Sequence, residues 1–322
     1  MSAPPVLDVQ DLHVWFELSA GRELHAVQGA GLTLARGERM GLVGESGCGK
    51  TTLSLALMGL LPPNASVAGH VLLDGEDILA GGEDTLRPHR WTDIAMIFQG
   101  AMNAFNPVKR IGDQIVEAME LHGVARGRAA HARCGELLEL VGIRSERARR
   151  FPHEFSGGMR QRAAIAMALA CQPRVLLADE PTTALDVMVQ AQILQLLQRL
   201  SDELGLAILL ITHDLPIVAQ TCQTAAVMYA GRVAELGPTV ELHDAPQHPY
   251  TRMLFEATPD LAGTTGVVSI PGAPPRLDVP LVACPFAPRC DSTFETCRTL
   301  RPPLRTVGEG HQAACHLAGS AA

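Results

Sequence analysis

Residues 39–51 read RMGLVGESGCGKT, and this stretch decides the fold of the 322-residue chain. The apolar run at 39–43 has the length and composition of a buried β-strand. The next eight residues, GESGCGKT, match the pattern GxxxxGK[ST] in full. Its glycines allow a tight backbone path whose N–H groups point inward at an anion. The stretch therefore predicts a phosphate-binding loop between a strand and a helix.

Each residue of this loop has a predicted part in binding a nucleotide. Lys50 is expected to bring a point charge to the β- and γ-phosphates, and the hydroxyl of Thr51 to bind Mg²⁺. The alternative is a glycine-rich turn that matches by chance, which the flanking strand and helix disfavour. The predicted nucleotide contacts in the loop are Gly44, Glu45, Ser46, Gly47, Cys48, Gly49, Lys50, Thr51 and Thr52.

Four more short apolar runs resemble the strand before the loop. They lack polar alternation, which is typical of the buried strands of a mostly parallel sheet. Apolar residues recur at helical spacing over 187–204, and the helix after Lys50 is expected to stop at Pro62 and Pro63. Alternating strands and helices predict an α/β core. The four runs are 94–98, 174–178, 207–211 and 225–229.

Other parts of the chain differ in pattern from this core. The first 36 residues alternate more and predict antiparallel strands at one side of the core. Residues from about 100 to 165 are helix-rich and predict a helical subdomain. The composition shifts near 235–245, where proline clusters begin. We therefore predict a nucleotide-binding domain at 1–240 and a small cysteine-rich extension at 241–322.

Composition and charge bound the class of protein. The chain is 47% hydrophobic and 19% charged, with a formal net charge of −8, which argues against general nucleic-acid binding. The basic run at 144–150 is interpreted as a solvated helix face. No apolar run is long enough for a bilayer, and the N-terminus does not resemble a secretion signal. We therefore expect a cytosolic chain whose eight cysteines are reduced thiols or metal ligands.

Two carboxylates follow the strand in VLLADEP, residues 175–181. The carboxyl ends of strands are where α/β sheets bind ligands. Asp179 is expected to hold Mg²⁺, and Glu180 to act as the general base that orients or deprotonates the attacking water. An acidic strand end has a purely structural alternative, so the interpretation depends on its agreement with the phosphate loop.

The stretch FSGGMRQR at 155–162 is a second helix start suited to an anion, with no lysine of its own. By itself it would be interpreted as a serine N-cap followed by glycines. Beside the other motifs, the chain resembles the ATP-binding subunits of ABC transporters, and FSGGM resembles their signature motif. The resemblance implies a RecA-like P-loop NTPase core and head-to-tail pairing of two nucleotide-binding domains. Ser156, Gly157, Gly158 and Met159 would then cover the γ-phosphate bound by the opposite subunit.

Further positions match the family one by one. Gln99 in IFQG resembles the Q-loop glutamine that reaches Mg²⁺ and the attacking water, and Asp186 in TTALD resembles the D-loop aspartate. His213 in LLITHD resembles the switch histidine that contacts the γ-phosphate, although a lone histidine there is more often structural. Phe16 is the candidate for stacking on adenine, with Trp15 as its rival.

Finer motifs are similar to the oligopeptide/dipeptide importer subfamily. They include FQGAMNAFNP, HPYTRML and, in the tail, ACPFAPRC and AACH. The tail cysteines are spaced C-x5-C-x6-C-x17-C, without the close pairs of most zinc sites, and this spacing is compatible with an iron–sulfur cluster. The resemblance implies a 4Fe–4S cluster. Zinc, with His311 or His316 as a further ligand, and free thiols remain the alternatives. The four cysteines are Cys284, Cys290, Cys297 and Cys315.

The resemblance implies an ATP-hydrolysing subunit that powers peptide import from the cytoplasmic face of the membrane. Its expected partners are a second, related ATPase chain, two membrane-spanning permeases and an extracellular or periplasmic solute-binding protein. A homodimer of ATPases is the less favoured alternative. Nickel or another small solute is the rival cargo. An ABC-type ATPase acting on nucleic acid or ribosomes is disfavoured by the acidic charge, and an iron–sulfur module with a vestigial ATPase is disfavoured by the intact Glu180.

Overall fold

The computed structural model describes residues 4–100, 104–257 and 269–319. Residues 101–103 of the motif FQGAMNAFNP lie outside the described residues. The strands are β1 (Leu7–Glu17), β2 (Glu23–Leu34), β3 (Arg39–Val43), β4 (Ala65–Leu73), β5 (Glu76–Asp77), β6 (Ile94–Ile97), β7 (Val175–Asp179), β8 (Ala207–Ile211), β9 (Thr224–Tyr229), β10 (Arg232–Pro238), β11 (Arg305–Gly308) and β12 (His311–Ala313). The helices are α1 (Lys50–Leu57), α2 (Glu83–Leu86), α3 (Ile111–Leu121), α4 (Gly127–Leu140), α5 (Gly157–Ala168), α6 (Val187–Leu204), α7 (Leu215–Thr221), α8 (Thr239–Asp244), α9 (Pro249–Glu256) and α10 (Glu295–Thr299).

The chain forms two compact units, and each is made of more than one stretch of sequence. One unit comprises Met1–Val6, Leu34–Glu38 and Ile78–Leu209, and it contains the predicted helical subdomain. The other comprises Leu7–Thr33, Arg39–Asp77 and Leu210–Ala322, and it contains the phosphate loop together with the C-terminal extension. A domain boundary near residue 240 stays a prediction.

The unit with the phosphate loop contains two groups of paired strands. In the first, the order is β11-β12-β10-β9-β3, with β3 and β9 parallel and Leu42 opposite Ala226. In the second, the order is β2-β1-β4-β5, with β1 and β4 antiparallel. The side chains of β3 and β9 are almost wholly buried, and α1 follows β3 directly after the loop. Burial on both faces explains why these strands are continuously apolar.

The other unit combines short parallel strands with most of the long helices. β6 and β7 are parallel, with Ala95 opposite Leu176, and every residue of both strands is buried. The helices α3, α4 and α5 pack against one another, and each contributes buried aliphatic residues to this core. The α6 helix buries Ile193, Leu196, Leu197 and Leu200, which is the apolar stripe predicted from the sequence.

The predicted α/β architecture is confirmed, including the five buried strands and the antiparallel strands at the start of the chain. The helix after Lys50 does not reach the prolines, so its predicted end is wrong. It ends at Leu57, and Gly59 adopts a φ of 59° with its N–H bonded to the carbonyl of Ala56. This left-handed glycine terminates the helix before Pro62 can.

The C-terminal extension continues the sheet of the phosphate-loop unit. The β12 strand pairs antiparallel with β10, and β11 pairs with β12. Phe286 and Ala313 are 1% and 0% exposed, so the extension has a packed interior. Its strands were not predicted, because HQA and RTVG are too short and too polar to show a strand pattern. Within the described ranges, no helix is long and apolar enough to cross a membrane.

Candidate functional site

The phosphate loop opens α1 with a glycine in a conformation that other residues rarely adopt. Gly49 is the N-cap of α1 and has a φ of 107°. A Cβ at this position would lie 2.5 Å from the carbonyl oxygen of Ala26, too close for any side chain. The glycine therefore lets the chain turn into the helix with its first N–H groups unobstructed, which is the arrangement that binds anions at helix N-termini.

The Lys50 side chain lies inside this loop. Its ammonium donates to the carbonyl oxygens of Gly44 at 2.7 Å and Glu45 at 3.0 Å, and the residue is only 7% exposed. The thiol of Cys48 is 3.8 Å from the same nitrogen. Burial raises the pKa of Cys48, partly offset by Lys50, so this thiol is held in its neutral, less reactive form. A positive charge is thus kept where phosphate oxygens would approach.

Residues from the C-terminal part of the same unit contact Glu45. The backbone N–H of Glu45 donates to the Tyr250 hydroxyl at 2.9 Å. The Glu45 carboxylate accepts two bonds from the Arg289 guanidinium, at 2.7 and 2.8 Å. The hydrogen bond to Glu45 raises the pKa of Arg289, which keeps the guanidinium charged. Neither residue had been assigned a role from the sequence, although both lie in motifs that were noted there.

The acidic pair lies at the end of β7 in the other unit. Asp179 is 1% exposed, and Glu180 follows with a φ of 45°. Its carboxylate accepts hydrogen bonds from the Gln99 amide at 2.9 Å and from the Thr183 hydroxyl at 2.8 Å. A left-handed φ is costly for a glutamate and is typical of functional sites. The structure thus brings together Gln99 and Glu180, and it adds Thr183, which sequence reasoning missed.

The predicted signature residues form the start of α5. Ser156 is exposed and caps the helix, because its hydroxyl accepts the N–H of Met159 at 3.3 Å. Gly158 packs against α6 so closely that a Cβ there would lie 2.6 Å from the Val189 side chain. Gly157 and Met159 are half-buried. The serine cap considered in the sequence is therefore real, and it presents a helix start to solvent.

Asp186 and His213 lie at two further element ends. Asp186 is exposed and caps α6, accepting the N–H of Val189 at 3.0 Å. His213 is exposed directly after β8. Beside it, Thr212 donates its backbone N–H to the carbonyl of Leu42 at 3.1 Å, within the phosphate-loop unit. Their predicted roles toward nucleotide stay predictions.

The two candidates for adenine stacking have different surroundings. Trp15 lies in a stack with His13 and His25, whose ring centroids are 5.2 and 4.6 Å from that of Trp15. The two imidazoles also contact each other, with centroids 5.1 Å apart, so the three rings form one cluster. Phe16 is the next residue of β1, and like Trp15 it is half-buried. A tryptophan already packed against two imidazoles has less of its ring available, which favours Phe16 over Trp15 as the stacking residue.

The four tail cysteines lie in one region of the extension. The Cys284 N–H donates to the Cys297 carbonyl at 3.0 Å. Burial is the main cause that raises the pKa of Cys284 and of Cys290, and the negative charge of Asp291 adds to it at Cys290. Even so, among the described residues no group of three or more His, Cys, Asp or Glu side chains is placed to hold a metal ion.

The histidines considered as zinc ligands are engaged elsewhere, which corrects that expectation. His311 is 4% exposed, with Nε2 at 2.8 Å from Glu235 and Nδ1 at 3.0 Å from Glu241. His316 bonds the carbonyl of Leu300 at 2.9 Å. Both nitrogens of His311 are used to anchor β12, so this residue is structural.

Two family models match this chain, in different stretches of its sequence. Residues 27–183 match the family described as ABC transporter, and residues 234–297 match the C-terminal region of oligopeptide/dipeptide transporters. The first match contains the phosphate loop, Gln99, Ser156 and Glu180. The second contains Tyr250, Arg289 and three of the tail cysteines.

Relatives and solved structures agree with these matches. The dipeptide transport ATP-binding protein DppD of Bacillus subtilis is 45% identical over 97% of this chain and 94% of that protein. The oligopeptide transport ATP-binding protein OppD of Mycobacterium tuberculosis is 46% identical over 97% of this chain and 52% of that protein. The dimeric ATP-binding cassette MJ0796 bound to ADP and Pi has a TM-score of 0.63 and 26% identity, covering 72% of this chain and 98% of that one. The chain therefore belongs to the ABC transporter family, as an ATP-binding and ATP-hydrolysing subunit.

Proposed function

We propose that this ATPase powers the import of peptides through an ABC transporter. The observation that carries the proposal is similarity along nearly the whole chain to a dipeptide transport ATP-binding protein, at 45% identity. The match of residues 234–297 to the C-terminal region of oligopeptide/dipeptide transporters supports it independently of the ATPase motifs.

The proposed hydrolysis site takes its residues from the family resemblance, and the contacts around Glu180 support it. Glu180 orients or deprotonates the attacking water, and Gln99 and Thr183 hold its carboxylate in place through the hydrogen bonds at 2.9 and 2.8 Å. Lys50 contacts the β- and γ-phosphates. His213 contacts the γ-phosphate, and Phe16 stacks on adenine. The remaining residues of the loop, from Gly44 to Thr52, surround the phosphates.

Magnesium would be held by oxygen donors of the type it prefers. These are the Thr51 hydroxyl, the Gln99 amide oxygen and the Asp179 carboxylate. When bound, the ion neutralises charge on the phosphate oxygens. The protein's own contribution is to present a buried carboxylate at the end of β7 and a hydroxyl at the start of α1.

The signature serves the nucleotide of an opposite subunit. Ser156 is exposed at a capped helix start, where the backbone N–H groups of Gly157 and Gly158 and the helix dipole favour a phosphate. Next to Asp186, the side chains of Val187 and Met188 are 81% and 71% exposed, as expected for residues that a partner covers. The partner is a related ATPase chain, and a homodimer is the alternative.

The assembly includes two permeases and a solute-binding protein on the far side of the membrane. This subunit acts at the cytoplasmic face, and the helical subdomain passes its motion to the permeases. Its net charge of −8 fits a role that requires no nucleic acid.

For the tail, the proposed cofactor is a 4Fe–4S cluster. Its ligands would be Cys284, Cys290, Cys297 and Cys315. Its support is the donor set itself: the extension supplies four cysteine thiols, which is the number and type of ligand that such a cluster takes. Bound iron would stabilise their thiolates. Anaerobically purified protein should contain about four iron atoms per chain. Iron-free protein carrying zinc, or with four free thiols, would refute the proposal.

Transport is tested with the complex reconstituted in vesicles together with its binding protein. Peptides should stimulate ATP hydrolysis and accumulate inside, and Glu180→Gln should lower turnover by about 10²–10⁴-fold with ATP binding intact. Gln192, an exposed α6 residue, supplies the control Gln192→Ala, which should be active. Stimulation by nickel and not by peptides would replace the cargo assignment while leaving the ATPase assignment in place.

A further inference from the structure

Arg289 is a buried arginine of the C-terminal extension that contacts the phosphate loop. It precedes Cys290 directly, and its side chain is only 4% exposed. The two guanidinium nitrogens Nη1 and Nη2 bond separate oxygens of Glu45, at 2.7 and 2.8 Å. This is the bidentate fork-to-carboxylate geometry, which adds orientation to charge pairing.

The guanidinium is held in its orientation by other groups of the same unit. Its Nε donates to the carbonyl of Pro271 at 2.8 Å, and Nη1 also donates to the Tyr229 hydroxyl at 3.2 Å. It lies 5.7 Å from the ring centre of Tyr229 and 5.9 Å from that of Phe286. An arginine positioned in this way loses little side-chain entropy when it binds Glu45.

Glu45 is consequently fixed at three points. Tyr250 accepts its N–H, Arg289 binds its carboxylate, and the Lys50 ammonium donates to its carbonyl at 3.0 Å. Glu45 also carries a negative charge in a loop that binds polyphosphate. Without a cation beside it, this charge would repel the ligand.

We propose that Arg289 is a positioning residue for ATP binding, acting through Glu45. It holds the start of the phosphate loop in place and neutralises the one carboxylate in that loop. The C-terminal extension is therefore part of the nucleotide site. The inference rests on the assignment of the phosphate loop as the ATP site, within the proposed function.

A second ion pair of the extension involves an arginine that does not contact the phosphate loop. Arg252 of α9 binds Asp291, next to Cys290, at 2.5 Å, and both side chains are well exposed. This pair ties the same segment to α9 and involves no phosphate-loop residue. Arg252→Ala is therefore a matched control: it loosens the segment around Cys290 and leaves Glu45 paired.

The test measures MgATP binding to the full-length chain by equilibrium dialysis, with kcat and KM measured in the reconstituted complex. Arg289→Ala should raise Kd and KM for ATP by about 10- to 100-fold, with kcat at saturating ATP changed less than about threefold. Arg289→Lys keeps the positive charge but cannot make the bidentate bond to Glu45. Its Kd for ATP should therefore lie between those of the wild type and Arg289→Ala. Arg252→Ala should bind ATP like the wild type.

The double variant Arg289→Ala with Glu45→Gln shows whether weaker ATP binding in Arg289→Ala comes from the unpaired Glu45 charge or from a folding defect. Removing the unpaired carboxylate should return Kd to within about threefold of the Glu45→Gln single variant. A folding defect would instead persist in the double variant and would appear in its thermal melting curve. Wild-type ATP affinity in Arg289→Ala, or loss of affinity that Glu45→Gln does not relieve, would overturn the inference. If the wild-type chain itself binds no ATP, the assignment of the ATP site is wrong instead.

Discussion

The chain contains two glycine-containing helix starts suited to phosphate, and they are supported in different ways. At the start of α1, Lys50 is buried and Glu45 is held by two side chains from distant parts of the sequence. At the start of α5, Ser156 is exposed and makes a local cap to Met159, three residues away. The first is built from long-range contacts, and the second from short-range ones.

This difference indicates what each helix start can do in its own chain. The phosphate loop has its own cation and a conformation fixed by tertiary contacts, so it should bind nucleotide alone. The signature has N–H groups and a hydroxyl but no lysine among residues 155–159. It should therefore contribute to turnover only where another subunit brings the nucleotide.

Removing the Lys50 ammonium should give the largest effect on ATP affinity. It should affect only the helix start at α1. Lys50→Ala leaves the phosphates without their point charge, so we expect Kd for MgATP to rise by about 10²–10³-fold in the isolated chain. Equilibrium dialysis measures this. Lys109, an exposed lysine paired with Glu117, supplies the control Lys109→Ala, which should bind normally. Unchanged affinity in Lys50→Ala would remove the distinction between the two helix starts.

Acid should destabilise the unit that holds the phosphate loop. Burial lowers the pKa of His248 to about 4, and its Nδ1 accepts the N–H of Tyr250 at 3.0 Å. Between pH 6.5 and 4 the unfolded chain binds more protons at this site, so the free energy of unfolding falls as pH falls, by about 3 kcal/mol at pH 4.

Urea unfolding of the wild type and His248→Gln at several pH values measures this contribution. The variant should lose about 3 kcal/mol less than the wild type between pH 7 and pH 4. Because Tyr250 also binds Glu45, ATP affinity should decline over the same range in the wild type. Parallel pH curves for the two proteins would show that His248 is not the responsible group.

Ser156→Ala should give the smallest effect, and only in the assembled complex. It removes one hydroxyl from the signature, so turnover should fall about tenfold while ATP binding to the isolated chain is unchanged. The loss of its cap costs about 1 kcal/mol of stability. A thermal melting curve of the variant measures the loss of the cap separately from the loss of turnover. A change in the isolated chain's ATP affinity would contradict the comparison.

Particular residues show how far sequence reasoning reached. Continuous apolar runs and the GxxxxGK[ST] pattern predicted the buried strands and the phosphate loop, because both signals are local. The pairing of Gln99 with Glu180 across 81 positions was predicted only as a shared role. Thr183 was missed because a threonine after an acidic pair has no distinctive pattern of its own. Gly59, which ends α1, was overlooked in favour of two prolines.

The sequence by itself determined the α/β architecture, the phosphate loop and the two candidate helix starts, since periodicity, glycines and charged residues act over a few neighbouring positions. Only the tertiary structure decided that Tyr250 and Arg289 hold Glu45, 205 and 244 positions away along the chain. It also decided that His311 contacts both Glu235 and Glu241 and so anchors β12. Such contacts depend on how distant segments pack, and no local pattern records which buried side chain will meet which partner.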